Sequence, residues 1–473
     1  MHPADRDRHR QALARIVGAE GAVWDEASLR AHQRDTWFLN VWRAQSGRLR
    51  NEPLCVVSPA STTEVAEVVR YALAQHLAVV PFGGGSGVCG AIEPAGHAVV
   101  VDMRRMDRLL ELNETALYAR VQAGKLGSAF EGELNAAGYS AGHFPQSIAL
   151  STVGGWVATR AAGQYSTRYG NIEDMVVALE VVLPDGRVMR TKTAPRFATG
   201  PDLRHLFLGA EGTLGIVTEV TMKIFPRPES VLLQSFSFSE MEMGLEAIRH
   251  VLRQGWRPAV VRLYDAVETA RHFPALSTGS NCLLLVISEG PGALVAAEAA
   301  AVAGLCAATG GEAHGPGPVQ QWLAERNNVP TFESFIEKGL VVDTIEVSAP
   351  WDRIGTLYRA VIAALRAVPG MLVASGHSSH SYPQGTNIYF SFAARPETAE
   401  QSEATYLDCW RAAMEATLQS GGSIAHHHGI GRIRRAWLAH ELGEGLEVLR
   451  ALKRALDPAG IMNPGTLLPD ESA

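Results

Sequence analysis

Three glycine-rich turns, each joined to an apolar strand-like run, constrain this chain more than any other feature. The first, Phe82-Gly83-Gly84-Gly85-Ser86-Gly87-Val88, follows the run 77–81. Successive glycines let neighbouring backbone N–H groups converge on an anion, and Ser86 adds a hydroxyl. The turn is not Gly-x-Gly-x-x-Gly, and no Lys-Ser/Thr pair follows it, so neither a Rossmann turn nor a nucleotide-hydrolysing loop is supported. The second runs from Gln146-Ser147 through Ser151-Thr152 and Gly154-Gly155 to Thr159, Arg160 and Ala162. Its small and hydroxylated residues leave room for a flat ring and supply donors for a polar edge. The third, Glu211-Gly212-Thr213-Leu214-Gly215-Ile216-Val217, leads into a final strand. Three such turns fit one extended cofactor better than three coincidental bends.

The rest of the chain is consistent with a large soluble enzyme. Its 473 residues suit two or three domains. Acidic residues outnumber basic ones, 49 to 42, which argues against a nucleic-acid partner. The five cysteines are scattered and form no Cys-x-x-Cys pair, so neither a zinc ribbon nor a disulfide framework is expected. The polar start has no apolar stretch behind it, no run suits a transmembrane segment, and the final Glu-Ser-Ala is not a peroxisomal address. These features predict a cytoplasmic protein.

Periodicity divides the chain into a helical lead-in over 1–50, a cofactor-binding domain over 51–228, a cap over 229–415 and a C-terminal segment over 416–473. In the second unit, Ser61-Thr-Thr-Glu64 reads as a capping box opening a helix, and residues 176–190 read as a hairpin around Pro184-Asp-Gly186. The Pro226-Arg-Pro228 triplet marks the boundary. The cap alternates strands near 230–238, 282–288, 340–347 and 386–393 with helices near 241–253, 294–308 and 352–367. That order suits an α+β domain with helices on one face of a sheet.

The most unusual stretch is Gly422-Ser-Ile-Ala-His426-His427-His428-Gly429-Ile-Gly431. Three adjacent imidazoles between glycines suggest a loop pressed against another surface, and imidazole is the proton carrier best matched to neutral pH. Tyr389, on an apolar strand, needs a partner for its phenol. Arg262, between Val261 and Leu263, can hold an anion or pair with Asp265.

The three turns, together with Tyr169-Gly-Asn-Ile-Glu-Asp174, resemble the FAD-binding domain of the vanillyl-alcohol oxidase / p-cresol methylhydroxylase superfamily. The resemblance implies a two-subdomain α+β FAD-binding fold with an α+β cap. It assigns the pyrophosphate to the first turn, the isoalloxazine to the second and the ribose–adenine side to the third. Many members attach FAD through a histidine, whereas Ser86 stands in the first turn here and implies non-covalent FAD. The histidine segment, Arg262-Leu-Tyr-Asp265, Ser348-Ala-Pro-Trp-Asp-Arg353 and Asn387-Ile-Tyr-Phe390 are most similar to the alkyl-dihydroxyacetonephosphate synthase family. That resemblance gives Tyr389 an acid/base role, His427 a catalytic role flanked by His426 and His428, and Arg262 a place beside flavin and substrate. It implies a small or lipid-derived substrate and makes a homodimer the assembly to test; no metal ligand set is assigned. The second arginine of that family, which holds a departing carboxylate, is replaced by Phe332, with Arg326 the nearest basic side chain. Losing a guanidinium from a carboxylate clamp is not conservative. One alternative is a flavin dehydrogenase of a D-2-hydroxy acid, such as glycolate or D-lactate; the metal-binding histidine segment of such enzymes corresponds here to His377-Ser-Ser-His380 through Tyr389, which leaves an all-imidazole zinc site from His380, His427 and one neighbour open. The other is a non-catalytic flavin-binding protein.

Overall fold

A computed structural model describes residues 2–49, 52–328 and 331–469. The Glu-Ser-Ala tail considered above lies outside these residues. The described chain forms an α+β fold built on three main sheets. The first has the strand order Ala22–Val23, Cys55–Val57, Ala98–Asp102, Ala78–Phe82, with the last three parallel. Its strands are apolar on both faces, as a sheet covered on both sides requires. The helix Thr62–Ala74 buries Val65, Val68 and Val69 against it. Ser61 accepts the Glu64 N–H at its N-terminus, but the Glu64 carboxylate takes the amide of Ala60 instead of Ser61, so the expected box closes one residue early.

The second sheet is antiparallel, in the order Leu109–Asn113, Tyr118–Gln122, Ile216–Lys223, Val176–Val182, Val188–Arg190. It contains the expected hairpin and the strand that leaves the third glycine turn. The lead-in is less purely helical than the sequence suggests. Pro3–Val17, Glu26–Ala31 and Phe38–Gln45 are helices, but Ala22–Val23 pairs antiparallel with Cys55–Val57 and extends the first sheet. Two residues are too few for a periodic signal, which is why composition alone conceals them.

The cap is a seven-stranded antiparallel sheet. Strands Ser230–Phe238, Cys282–Gly290, Val341–Pro350 and Gly385–Ala394 fall where periodicity places them. Val260–Tyr264 and Met371–Ser378 complete its centre. Alternation decides which side chains face where. In Gly385–Ala394, Ile388, Phe390 and Phe392 enter the core shared with helices Met241–Arg253, Ile354–Arg366 and Ser402–Gln419. Each such buried side chain contributes roughly 1.5–3 kcal/mol, so a one-residue slip is strongly disfavoured. Tyr389 is therefore held on the opposite face, towards the cofactor-binding domain. The same reasoning turns Arg262 away from Val261 and Leu263, and Glu346 away from Ile345 and Val347.

The C-terminal segment ties the units together. Ser423 pairs with Ser348 of the cap, the Arg432 amide donates to the Cys89 carbonyl at 2.8 Å, and Asn463 and Ile461 bond to both sides of Val79.

Candidate active site

The three glycine turns converge on one cleft of about 330 Å³, and the polar face of the cap sheet closes its far end. The turns are packed backbone to backbone. A Cβ on Gly84 would stand 1.7 Å from the Leu150 carbonyl oxygen, and one on Gly83 would stand 2.5 Å from Thr152 Oγ1. Glycine is required there by contact, whatever the dihedral. The amides of Gly83, Gly84, Gly85, Ser86, Gly87 and Val88 meet no acceptor among the described residues. Six unclaimed donors along one wall form a cradle for an anion such as a pyrophosphate. The residues present thus fit a dinucleotide.

At the other end, register aligns four side chains across the cap sheet. Glu346 lies opposite Tyr389, Tyr389 opposite His377, and His377 opposite Tyr264. The Tyr389 and His377 rings stack at 4.9 Å. Thr344 Oγ1 donates to the Tyr389 phenol oxygen at 2.9 Å, which leaves the phenol proton free to be donated. Burial pushes the Tyr389 ionisation above its ordinary value, so the group stays a donor at neutral pH.

Arg262 is fixed from two sides. Its Nε donates to the Tyr264 phenol at 2.6 Å and its Nη2 to His377 Nε2 at 2.7 Å. His377 Nδ1 in turn bonds to Glu268 Oε2 at 2.7 Å. Because Arg262 can only donate, His377 is neutral with its proton on Nδ1. Burial alone would raise the Glu268 carboxyl, but His377, Arg271 and Arg262 together hold it at about 2. A buried carboxylate thus orients the guanidinium through an imidazole. Asp265, the partner expected from sequence, instead caps the helix Ala266–His272 and accepts from the Tyr358 phenol.

The histidine loop hangs from two buried carboxylates. Oε1 of Glu346 accepts from the successive amides of His426, His427 and His428 at 3.4, 3.2 and 2.9 Å. Oε2 pairs with the fully buried Arg434 and lies 3.0 Å from His428 Nδ1. Burial would raise this carboxyl, yet Arg434 and His428 hold it well below the usual range. Glu211 takes the amides of Ile430 and Gly431 at 2.6 and 2.8 Å, from a backbone with φ of +49°. Burial raises its carboxyl to about 7 against the pull of those amides. Gly431 is needed at the crossing, since a Cβ would stand 2.0 Å from the Cys89 carbonyl oxygen.

Burial also lowers the imidazoles. His426 falls to about 4, and His427 and His380 fall well below the ordinary value. At neutral pH these rings are uncharged and able to accept a proton.

Most residues singled out from the sequence line this cleft. They include all of Phe82 to Val88, then Gln146, Ser147, Ser151, Thr152, Gly154, Gly155, Thr159 and Ala162. From the third turn come Glu211, Gly212, Gly215, Ile216 and Val217, and from the cap side Arg262, Tyr389, His427 and His428. Arg160, Thr213 and His426 stand off its wall. Arg160 pairs with Glu173, Thr213 caps the Ala210 carbonyl, and His426 lies behind His427. Sequence reasoning missed Asp35 in the wall and Glu268 and Glu346 behind it; His377 and His380, which the sequence offered only as part of a stretch matching a metal-binding segment, also stand in the wall. The register of a recognised strand against its neighbours would have flagged Glu346, a carboxylate between Ile345 and Val347 in a largely apolar run. Phe332 packs edge-on against Phe38 at 5.5 Å. Arg326 lies over the rings of Phe144, Tyr165 and Trp322 and donates to Gln164. Among the described residues, no group of three or more His, Cys, Asp or Glu side chains is arranged to hold a metal ion, and no helix is long and apolar enough to cross a membrane.

Comparison with known proteins decides the family. Residues 53–192 match the FAD binding domain family, and residues 227–467 match the C-terminal domain of FAD linked oxidases. The chain belongs to the FAD-linked oxidases. FAD is its cofactor. The chain is 35% identical to the uncharacterized FAD-linked oxidoreductase YgcU of Escherichia coli K12, covering 97% of this chain and 98% of that one. It is 33% identical to alkyldihydroxyacetonephosphate synthase of Caenorhabditis elegans, covering 90% of this chain and 77% of the relative. Identity to the glycolate oxidase subunit GlcD of Bacillus subtilis is 26%, with 88% and 89% covered. A solved alkyldihydroxyacetonephosphate synthase superposes with a TM-score of 0.82 at 27% identity, over 98% of this chain and 86% of that one. For p-cresol methylhydroxylase the TM-score is 0.78 at 16% identity, over 98% and 97%, so the fold is of that type.

Proposed function

We propose that this FAD-linked oxidase-family enzyme oxidises a small hydroxylated substrate that carries one anionic group. The observation carrying this reading is the single cluster of donor, base and cation at the end of the cleft. Bound FAD would supply a two-electron acceptor at its isoalloxazine. Arg262, whose Nη1 has no partner among the described residues, would hold the anionic group. Tyr389 would donate to a substrate oxygen. The neutral imidazole of His427 would take the hydroxyl proton. The cap sheet covers the reacting centre and limits the access of water. Ser86 in the first turn supports non-covalent attachment, so denaturing the protein should release FAD into the supernatant.

A second reading is exchange of an acyl group for an alcohol, as the name of the synthase relatives would suggest. Identity of 33% favours it. The state of position 332 weighs against it: Phe332 is spent on an apolar contact, and Arg326 is held among three rings. Anaerobic addition of glycolate or D-lactate separates the two. Oxidation bleaches the flavin band and reduces a dye. Exchange activity leaves the dye unreduced, replaces the acyloxy group of acyl-dihydroxyacetone phosphate with a labelled alcohol and releases the fatty acid.

A further inference from the structure

His380 stands in the cleft wall with only 4% of its surface exposed, and none of the roles given above uses it. Its place is fixed by its own sheet and by the cofactor-binding domain. Asn387 Oδ1 accepts the amides of Ser379 and His380 at 3.0 and 2.9 Å, and Thr386 Oγ1 donates to the His380 carbonyl at 2.9 Å. From the other domain, Ser166 Oγ meets His380 Nδ1 at 2.7 Å. The second ring nitrogen, Nε2, has no hydrogen-bond partner among the described residues and is left to the cleft. Burial keeps the ring neutral, so it pairs one bare nitrogen with one N–H. A serine hydroxyl can give a proton to Nδ1 or accept one from it, so Nε2 is free either to accept or to donate. The His427 ring neighbours His380 at 4.8 Å and Tyr389 at 6.1 Å.

We propose that His380 binds a second hydroxyl of the substrate, on the carbon beside the one oxidised, so that the substrate is a hydroxy acid with two adjacent hydroxyls. The inference rests on the reading that Arg262 takes the anionic group and that Tyr389 and His427 serve the reacting hydroxyl. With those three committed, a simple 2-hydroxy acid such as lactate has no polar group left to meet Nε2. A polar atom left unmet in a closed site costs binding, which is how a site built around a hydroxyl rejects the analogue lacking it. The class of the missing group follows from what Nε2 can do. A second carboxylate would need a fixed donor and an ammonium a fixed acceptor. A hydroxyl is donor and acceptor at once, and it suits a nitrogen that can be either. The contact between the His380 and His427 rings sets the second oxygen next to the reacting one, as neighbouring carbons require. Ser166 is a positioning residue in this arrangement: it engages Nδ1 and leaves Nε2 for the ligand.

The test compares D-glycerate with D-lactate, which differ by one hydroxyl on that neighbouring carbon, using the FAD-loaded protein under anaerobic conditions. Affinity is read from the perturbation of the flavin spectrum, or from the concentration dependence of bleaching where the flavin is reduced. The wild-type protein should favour glycerate by roughly 10–100-fold. His380→Asn keeps a polar group for Ser166 but withdraws the one at Nε2, and should bring the two ligands to parity. His380→Gln, whose amide reaches the Nε2 position, should retain most of the preference. Flavin absorbance establishes that each variant is loaded. Parity in the wild-type protein, or an undiminished preference in His380→Asn, would overturn the second hydroxyl. The expected pattern of affinities without any bleaching would support it and count against the oxidation reading instead.

Discussion

Glu346→Gln isolates the device that suspends the histidine loop. Glutamine keeps one carbonyl oxygen for the amides of His426 to His428 but removes the charge facing Arg434. Arg434 is fully buried; apart from the Glu346 carboxylate it meets the Gly429 carbonyl, the Glu346 backbone carbonyl, Cys89 Sγ and the Trp410 ring at 5.1 Å, none of which carries a charge. Breaking a buried pair from one side costs about 3–5 kcal/mol, since the surviving charge is uncompensated. At about 1.4 kcal/mol per tenfold change, hydrogen-exchange protection of the loop amides should fall by roughly two to three and a half orders of magnitude. The expected assay is exchange mass spectrometry on peptides spanning 424–432, with FAD bound. Adding Arg434→Met should restore most of the protection, because no stranded charge remains. The pH dependence has a definite sign. The folded-state ionisation of Glu346 is depressed, so its contribution is present above the ordinary carboxylate range, near pH 4.3, and is lost as pH falls. Protection unchanged in Glu346→Gln, or losses from Glu346→Gln and Arg434→Met that add, would refute the reasoning.

Two further perturbations probe other parts of the molecule. Gly84→Ala places a methyl 1.7 Å from the Leu150 carbonyl oxygen, so the first and second turns must separate. Purified protein should carry little flavin per chain by absorbance, and a full complement of FAD would contradict the cradle. His143 is completely buried, lies 4.7 Å from the Trp156 ring, and bonds through neither nitrogen among the described residues. Burial lowers it to about 3, so between that pH and its unfolded value near 6.5 only the unfolded chain takes up the proton. His143 therefore makes stability fall as pH drops through this window. His143→Leu should raise stability by about 1–3 kcal/mol and flatten that slope, as followed by urea unfolding at pH 7 and pH 5. A destabilised variant with the slope unchanged would refute this.

How much of this could be seen in the sequence follows from how far each signal travels along the chain. The glycine turns are visible because the cofactor cradle is local: each needs a strand, small residues and a bend within about a dozen positions. Tyr389 is visible for a similar reason, since its strand alternates cleanly between core and cleft. Glu346 sits in a comparable strand but reads as a solvated position, because its partners Arg434 and the amides of 426–428 lie eighty or more residues later. His377 was hidden by its own strand. Ser375, Gly376, His377 and Ser378 are too polar to signal a β-strand, although all are buried, each paired with a neighbouring strand and His377 with both, and are tied by bonds to Glu268 and Thr386. Arg262 was singled out between apolar neighbours, but local spacing suggested Asp265 where register delivered His377. The lead-in hid its contribution most fully. Asp35 and Thr36 line the cleft, and the Trp37 indole donates to the Tyr406 phenol at 2.7 Å, none of which helical periodicity encodes.

The central claim is that the three turns and the cap's Tyr389–His427 pair serve one reaction in one cleft. Single-turnover flavin reduction, measured anaerobically in stopped flow with the hydroxy acid that bleaches the wild-type protein, tests it most directly. Tyr389→Phe and His427→Ala should each retain bound FAD and reduce it roughly 10²–10⁴-fold more slowly. Wild-type rates in both variants with FAD still bound would contradict the account.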